Sequence, residues 1–333
     1  MTYNEHLEEI RKRTNIALVK EVDFETEFTN PKFAKNVLNI CIEEANIVRE
    51  KYKLDLCFGI RFYDEINASA SIKNGNTILI NHKLINELEN VINNSIRIYF
   101  QDEFTKISNI PLNEEELFPM YTKLCATYLF YHELAHIFQL NKAKNHGQFS
   151  FTEQYEYKSD FQIKNHIYEL DADLLGILFS TAFFLGYPFQ SKHLNNPTIQ
   201  FHLLTLYIGL MGSIFIIFSN KSLENIYFKE NSHPHQIVRI YSCIEQIMFS
   251  FYNYVKYSTD LGPNSPYSKS IILRAYSMLD LQHSVTMHKY SDIAEKNIKK
   301  IDAYTNEIET LNDNYFELTR HNATEIYITL SQL

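Results

Sequence analysis

The sequence has no tryptophan, only four cysteines, no excess of basic charge, and no internal repeat or low-complexity segment. Each absence excludes something. Cys41, Cys57, Cys125 and Cys243 are scattered without a CxxC pair. That excludes a cysteine-rich structural zinc site and a secreted disulfide framework, and it fits reduced thiols in a cytoplasmic protein. A formal net charge of −9 argues against general affinity for nucleic acid or an anionic membrane surface. The opening MTYNEHLEEIRKRTN is charged from the start and lacks the apolar core of a secretory signal, so a cytoplasmic location is expected. The missing tryptophan accompanies 23 Tyr and 24 Phe with many Asn, Ile and Lys, a bias we attribute to base composition rather than function.

Long uninterrupted apolar runs are also missing. Residues 174–191 and 203–220 are free of Asp, Glu, Lys and Arg, but a membrane span needs about 20 predominantly apolar residues. Gly176, Ser180, Thr181, Gly186 and Pro188 dilute the first stretch. Both are expected to be buried core helices, and a membrane is not expected as a partner. With 333 residues, the chain is long enough to bury a large core without disulfide staples.

The remaining pattern reads as an α+β, predominantly helical chain. Helical periodicity covers about residues 3–20 and 32–52, and the β-branched and aromatic run from Leu54 to Tyr63 reads as a buried strand. Ala68 to Asn81 reads as a hairpin: small and apolar residues alternate, Asn74-Gly75-Asn76 turns, and Thr77 to Ile80 return. A helix follows from His82 to about Phe104. Asn113 and Glu114-Glu115-Glu116 are an N-cap and an acidic first turn for a helix reaching about Leu140. Its stretch from Cys125 to Tyr131 carries no charge and should be buried on most sides. A polar loop to about Ser159 precedes another helix from near Phe161 to about Leu185. Breaks are expected at Pro188, Pro197, Pro234 and Leu261-Gly262-Pro263.

The segment that carries chemistry is HELAH, His132 to His136. On a helix an i, i+4 pair projects from one face, so both imidazoles reach one cation, with Glu133 beside them to take a proton from water. If the histidines were ordinary core residues, Glu133 would be a costly unpaired charge in an uncharged segment. A catalytic zinc needs a third protein ligand and an open position. YELDAD, Tyr168 to Asp173, supplies it best: Glu169 and Asp173 share a face, Glu169 to bind metal and Asp173 to accept from a ligand imidazole. His166 is the rival ligand, one turn before Glu169. Asp171 lies about 200° around the helix and is expected to face solvent or start a polar patch.

HELAH with ELDAD resembles the gluzincin pattern, in which HExxH on one helix is completed by a Glu from an ExxAD-type segment on the next; Glu169, Ala172 and Asp173 match it. SHPHQIVRI, Ser232 to Ile240, resembles the HP…R element of HtpX-like and CAAX-prenyl-protease peptidases, and INASASIKNGNTILIN is similar to their substrate-facing hairpin. The soluble phage-exclusion Lit-type and regulator-cleaving ImmA-type peptidases are similar in architecture. The resemblance implies a zincin-like metallopeptidase core at residues 54–245, with helical additions at 1–53 and 246–333. It implies one catalytic Zn²⁺ held by His132, His136 and Glu169, Glu133 as general base, and a polypeptide substrate lying along the sheet edge that includes Ala68 to Ile80.

His233 or Arg239 is the expected oxyanion stabiliser, with Tyr155, Tyr157 and Tyr168 as other donors. Ser232-His233-Pro234 also reads as a helix start, and His235 as a surface residue. Two other classes of function stand beside the peptidase: a zinc-stabilised regulatory protein without turnover, and a membrane-anchored metallopeptidase using the two uncharged stretches.

Overall fold

The computed structural model describes residues 1–13, 19–101, 112–145, 162–190, 197–219, 226–230, 233–254, 266–283 and 289–312. The fold is α+β and mostly helical. Helices α1 (Tyr3–Arg13), α2 (Phe24–Glu27) and α3 (Pro31–Tyr52) precede strands β1 (Leu56–Arg61), β2 (Ala68–Ser71) and β3 (Asn76–Asn81). Then come α4 (His82–Gln101), α5 (Glu114–Asn145), α6 (Ile163–Gln190), α7 (Pro197–Phe218), α8 (Gln236–Tyr254), α9 (Pro266–His283) and α10 (Tyr290–Asn312).

Capping chemistry places two of the long helices. Asn30 Oδ1 accepts from Phe33 N and Pro31 occupies the first helical turn of α3, where its missing N–H costs nothing. Asn113 Oδ1 accepts from Glu116 N at 2.8 Å, and the three glutamates face the positive end of α5. α3 ends at Lys53, whose φ of 52° turns the chain into β1.

The sheet has the order β1-β3-β2, with β1 parallel and β2 antiparallel to β3. The expected hairpin is present, with Ala70 opposite Ile78 and Gly75 at φ 102°, where a Cβ would be strained. Alternation divides the strands between two faces. Phe58, Ile60, Ile78 and Ile80 enter the main core with α3, α4 and α5, while Cys57 and Leu79 pack on Leu7 and Ile10 of α1. A Cβ on Gly59 would stand 2.9 Å from Ile10 Cδ1, so α1 lies close against β1 here. α5 packs on β2 and β3.

The main core draws residues from all three expected segments, Phe28 to Val48, Leu56 to Ile244 and Ile247 to Ile301, so the terminal helices share one hydrophobic interior with the middle. The two uncharged stretches form the second half of α6 and most of α7. Thr198–Phe218 is long and apolar enough to cross a membrane, yet 83% of its apolar window is buried among α4, α8 and α9. Tyr207 OH contacts Ser180 Oγ at 2.6 Å and Thr181 Oγ1 at 3.1 Å, a buried polar tie between α6 and α7. All four cysteines are free and buried.

Several boundaries differ from expectation. The first helix ends at Arg13, and Val19 bridges to Arg61 as extended chain rather than continuing the helix to residue 20. α5 runs to Asn145. α6 runs to Gln190, so Pro188 sits in its last turn and does not end it. The turn at Leu261-Gly262-Pro263, residues 102–104, and most of the polar loop before α6 lie outside the described residues.

Candidate metal centre

Contacts between α5 and α6 run in opposite order along the two helices. Tyr128 meets Gly176, His132 meets Asp173, His136 meets Glu169, and Gln139 meets the Tyr168 carbonyl. The helices are therefore antiparallel, and one stripe of α5 faces one stripe of α6 at successive turns. His132, His136 and Glu169 come together in the middle of this ladder, their ligand atoms all within 4.8 Å of one another. His132 and Glu169 are buried and His136 is partly exposed, so the cluster is shielded on most sides.

The outer nitrogen of His136 is hydrogen-bonded, and that of His132 lies beside a carboxylate. Gln139 Nε2 donates to the Tyr168 carbonyl at 2.9 Å and to Asp171 Oδ2 at 3.1 Å, which leaves Gln139 Oε1 to accept from His136 Nδ1 at 2.8 Å. His132 Nδ1 lies 3.0 Å from Asp173 Oδ1. Asp173 also accepts from Arg239 Nε at 2.7 Å, Arg239 Nη2 at 2.6 Å and Tyr128 OH at 2.8 Å. Burial pushes the Asp173 carboxyl up, but the charge of Arg239 and the bonds from His132 and Arg239 outweigh it and hold the carboxyl far below its usual range. Against an ionised carboxylate, His132 Nδ1 carries its proton.

With His136 Nδ1 donating to Gln139 and the ionised Asp173 beside His132 Nδ1 favouring a proton there, the two Nε2 atoms carry lone pairs, and they face each other at 3.2 Å. Two lone pairs do not rest at that distance without a cation between them. Without metal, a proton serves: burial lowers the His132 pKa, but Asp173, Glu133 and Glu169 outweigh it and raise it. His136, whose burial pulls it down to about 4, stays neutral as the acceptor. A divalent ion can take the place of that proton. Two nitrogens each about 2.0–2.1 Å from a tetrahedral ion stand roughly 3.3 Å apart. Glu169 completes the set, Oε1 3.7 Å from His136 Nε2 and Oε2 3.9 Å from His132 Nε2, too far to be hydrogen-bonded to either. Burial would raise the Glu169 carboxyl, but His233, His136, Arg239 and His132 together lower it to about 2, so it is an anionic donor. The residues fit a metal ion.

Glu133 is 7% exposed. Burial raises its pKa to about 7, with His132 opposing, Glu169 adding to the rise, and Arg239 and Arg61 opposing. The two residues considered for an oxyanion part company. His233 Nε2 lies 3.6 Å from Glu169 Oε1 with its side chain 35% exposed, on the open side of the cluster. Arg239 is buried, its guanidinium clamped on Asp173 and 4.9 Å from the Phe215 ring centre, with Nη2 3.7 Å from Glu169 Oε2. It stands behind the ligands as a brace.

His166 does not join the cluster: it is fully buried, and its Nδ1 pairs with Tyr304 OH of α10 at 2.6 Å. Two expectations are corrected. Asp171 is 3% exposed rather than facing solvent, because the Gln139 side chain of α5 reaches round and binds it. His235 is fully buried rather than on the surface, accepting from Ile237 N at 3.1 Å at the start of α8 with its ring against Tyr227. Tyr155 and Tyr157 lie outside the described residues, and Tyr168 packs its ring toward Lys164 and the Ile167–Tyr304 cluster. Sequence reasoning misses Tyr128 and Gln139. The signal is there, since 128, 132, 136 and 139 are one helical stripe.

No protein-family model matches this chain, and neither a curated protein nor a solved structure is detectably similar to it.

Proposed function

We propose that the chain is a zinc-dependent endopeptidase of gluzincin type with a zincin-like core, hydrolysing a peptide bond of an intracellular, cytoplasmic protein. The observation that carries this reading is the His132, His136 and Glu169 cluster, its ligand atoms all within 4.8 Å of one another, beside a buried glutamate outside the set. His132, His136 and Glu169 would hold the ion. Nitrogen and carboxylate donors in this number suit zinc, which polarises a carbonyl and makes water acidic when bound.

The rest of the reaction belongs to the chain's own side chains. Glu133, held at about 7 in the metal-free site, is poised to accept a proton from water and return it to the leaving amine near neutral pH. His233 faces the open side of the cluster, from which it can donate to the developing oxyanion. The charge of Asp173, 3.0 Å from His132 Nδ1, favours the His132 tautomer whose lone pair is on the inward Nε2, and the hydrogen bond to Gln139 does the same for His136. Among the described strands β2 pairs only with β3, so its outer edge can accept an extended polypeptide by main-chain hydrogen bonds.

Glu133→Gln tests the reading. The amide keeps the shape and leaves the ligands in place but cannot take the proton. Bound zinc should be retained while hydrolysis falls by about 10²–10⁴-fold. The substrate is found by comparing new protein N-termini in cells expressing each form. Identical N-terminal profiles would refute a peptidase and favour the zinc-stabilised regulatory protein.

A further inference from the structure

The rung of the α5–α6 ladder next to the ligands is built from two residues with no metal chemistry of their own. A Cβ on Gly176 would stand 2.8 Å from the Tyr128 carbonyl oxygen, 2.8 Å from its Cδ2 and 3.0 Å from its Cε2. That is about 0.6 Å short of an ordinary contact. One of the obstacles is backbone, which cannot swing aside. The helices thus approach more closely here than any side chain on residue 176 permits. Tyr128 uses that approach: its ring is 1% exposed, lies 5.8 Å from the His132 ring and 5.7 Å from Phe215, and its hydroxyl donates to Asp173 Oδ1 at 2.8 Å.

We propose that Tyr128 is a positioning residue of the metal centre and that Gly176 sets the helix spacing on which the ligand distances depend. The inference rests on the metal reading above. Tyr128 lies one turn before His132 and Gly176 three residues after Asp173, so the rung sits one turn from the carboxylate that orients His132. Its hydroxyl and Arg239 hold the Asp173 carboxylate in place against His132 Nδ1. Ligand distances at a metal tolerate about 0.2 Å. Separating α5 and α6 by several tenths of an ångström carries Glu169 away from the two histidines by more than that.

The experiment uses the full chain with zinc and cobalt as probes, comparing wild type, Tyr128→Phe, Gly176→Ala and a control, Gly209→Ala. The control adds a methyl in α7 at ordinary contact, 3.4 Å from Met278 Cε. Zinc affinity is read by competition with a chelating dye under conditions where circular dichroism shows each protein folded, and ligand geometry by the visible absorption of the Co²⁺ form. Tyr128→Phe should bind zinc about 3- to 10-fold more weakly with shifted Co²⁺ bands, and Gly176→Ala at least about 10-fold more weakly, as expected for supports outside the ligand set. Gly209→Ala should match wild type. A merely structural hydroxyl would lower the melting temperature and leave the affinity and Co²⁺ spectrum of the folded protein unmoved. If Gly176→Ala does not fold, Tyr128→Phe decides alone. Wild-type affinity and a superimposable Co²⁺ spectrum in Tyr128→Phe overturn the proposal while leaving the metal reading intact. A wild-type chain that binds neither ion overturns both.

Discussion

Replacing Asp173 by Asn strikes the ion pair that ties α5, α6 and α8 together. The amide keeps the shape, removes the charge, and puts a donor where one of two acceptor oxygens stood, so Arg239 Nε and Nη2 lose at least one of the bonds now at 2.7 and 2.6 Å. Arg239 is 9% exposed, and water has little room to replace the loss. Unit charges about 3 Å apart attract by about 5 kcal/mol at an effective dielectric of about 20, and breaking a buried pair from one side costs about 3–5 kcal/mol. The Phe215 face and Glu169 Oε2 remain near the guanidinium, which puts the expected loss near the lower end, about 3 kcal/mol. Arg239→Met removes the other charge. Asp173 then keeps Tyr128 and His132, and the expected loss is about 2–3 kcal/mol. In Asp173→Asn/Arg239→Met neither buried charge is stranded, so the double variant should be less destabilised than the sum by about 2 kcal/mol or more. Urea unfolding of the four chelator-treated proteins at neutral pH measures this. Additive losses would show that the pair is not an energetic unit and would refute the hub.

Metal analysis of the purified chain should find close to one zinc per molecule, lost in His132→Ala and Glu169→Ala but retained in His166→Ala, because His166 is paired with Tyr304 instead; retention in Glu169→Ala would break the ligand set. The metal-free protein should lose stability as pH falls from about 6.5 toward 4. Burial lowers His6 and His283 from 6.5 to about 4, so each is stored neutral; its contribution is complete above pH 6.5 and is lost toward pH 4, because over that range the unfolded chain takes up a proton that the folded group does not. Each histidine accounts for up to about 3 kcal/mol, less where water still reaches the ring. Glu169, held to about 2, keeps its charge through that window. Urea midpoints at about pH 7.5 and about pH 4.5 should diverge less in a His6→Gln/His283→Gln variant than in wild type; equal divergence would sink the assignment.

Local chemistry makes the fold legible where a boundary has its own signal. Asn30 before Pro31 and Asn113 before three glutamates start helices within about a residue of expectation, because the cap bonds are local. The Asn-Gly-Asn turn fixes the β2–β3 hairpin for the same reason. Boundaries set by tertiary packing are not legible. Pro188 falls in the last turn of α6, where a lost N–H and a crowded carbonyl cost least because the helix ends two residues later at Gln190. Asp171 is expected to face solvent because it lies about 200° around α6 from Glu169, yet Gln139 of α5 reaches round to it, and His235, read as a surface residue, is covered by Tyr227.

The centre itself shows why a motif reveals only part of a site. HELAH and ELDAD are the middle of an antiparallel ladder in which residue types are chemically restricted, since few side chains other than His, Glu and Asp can ligate or orient a ligand. The ladder continues for a turn on either side with Tyr128 against Gly176 and Gln139 against the Tyr168 carbonyl, at the same helical spacing. Those rungs use residues that a chain with 23 tyrosines supplies everywhere, so composition hides them. His233 and Arg239 illustrate the same limit from the other direction. Both can carry positive charge and they stand close together in the chain, so the sequence leaves them interchangeable. Only the start of α8 between them separates the open side of the cluster from the brace behind Asp173.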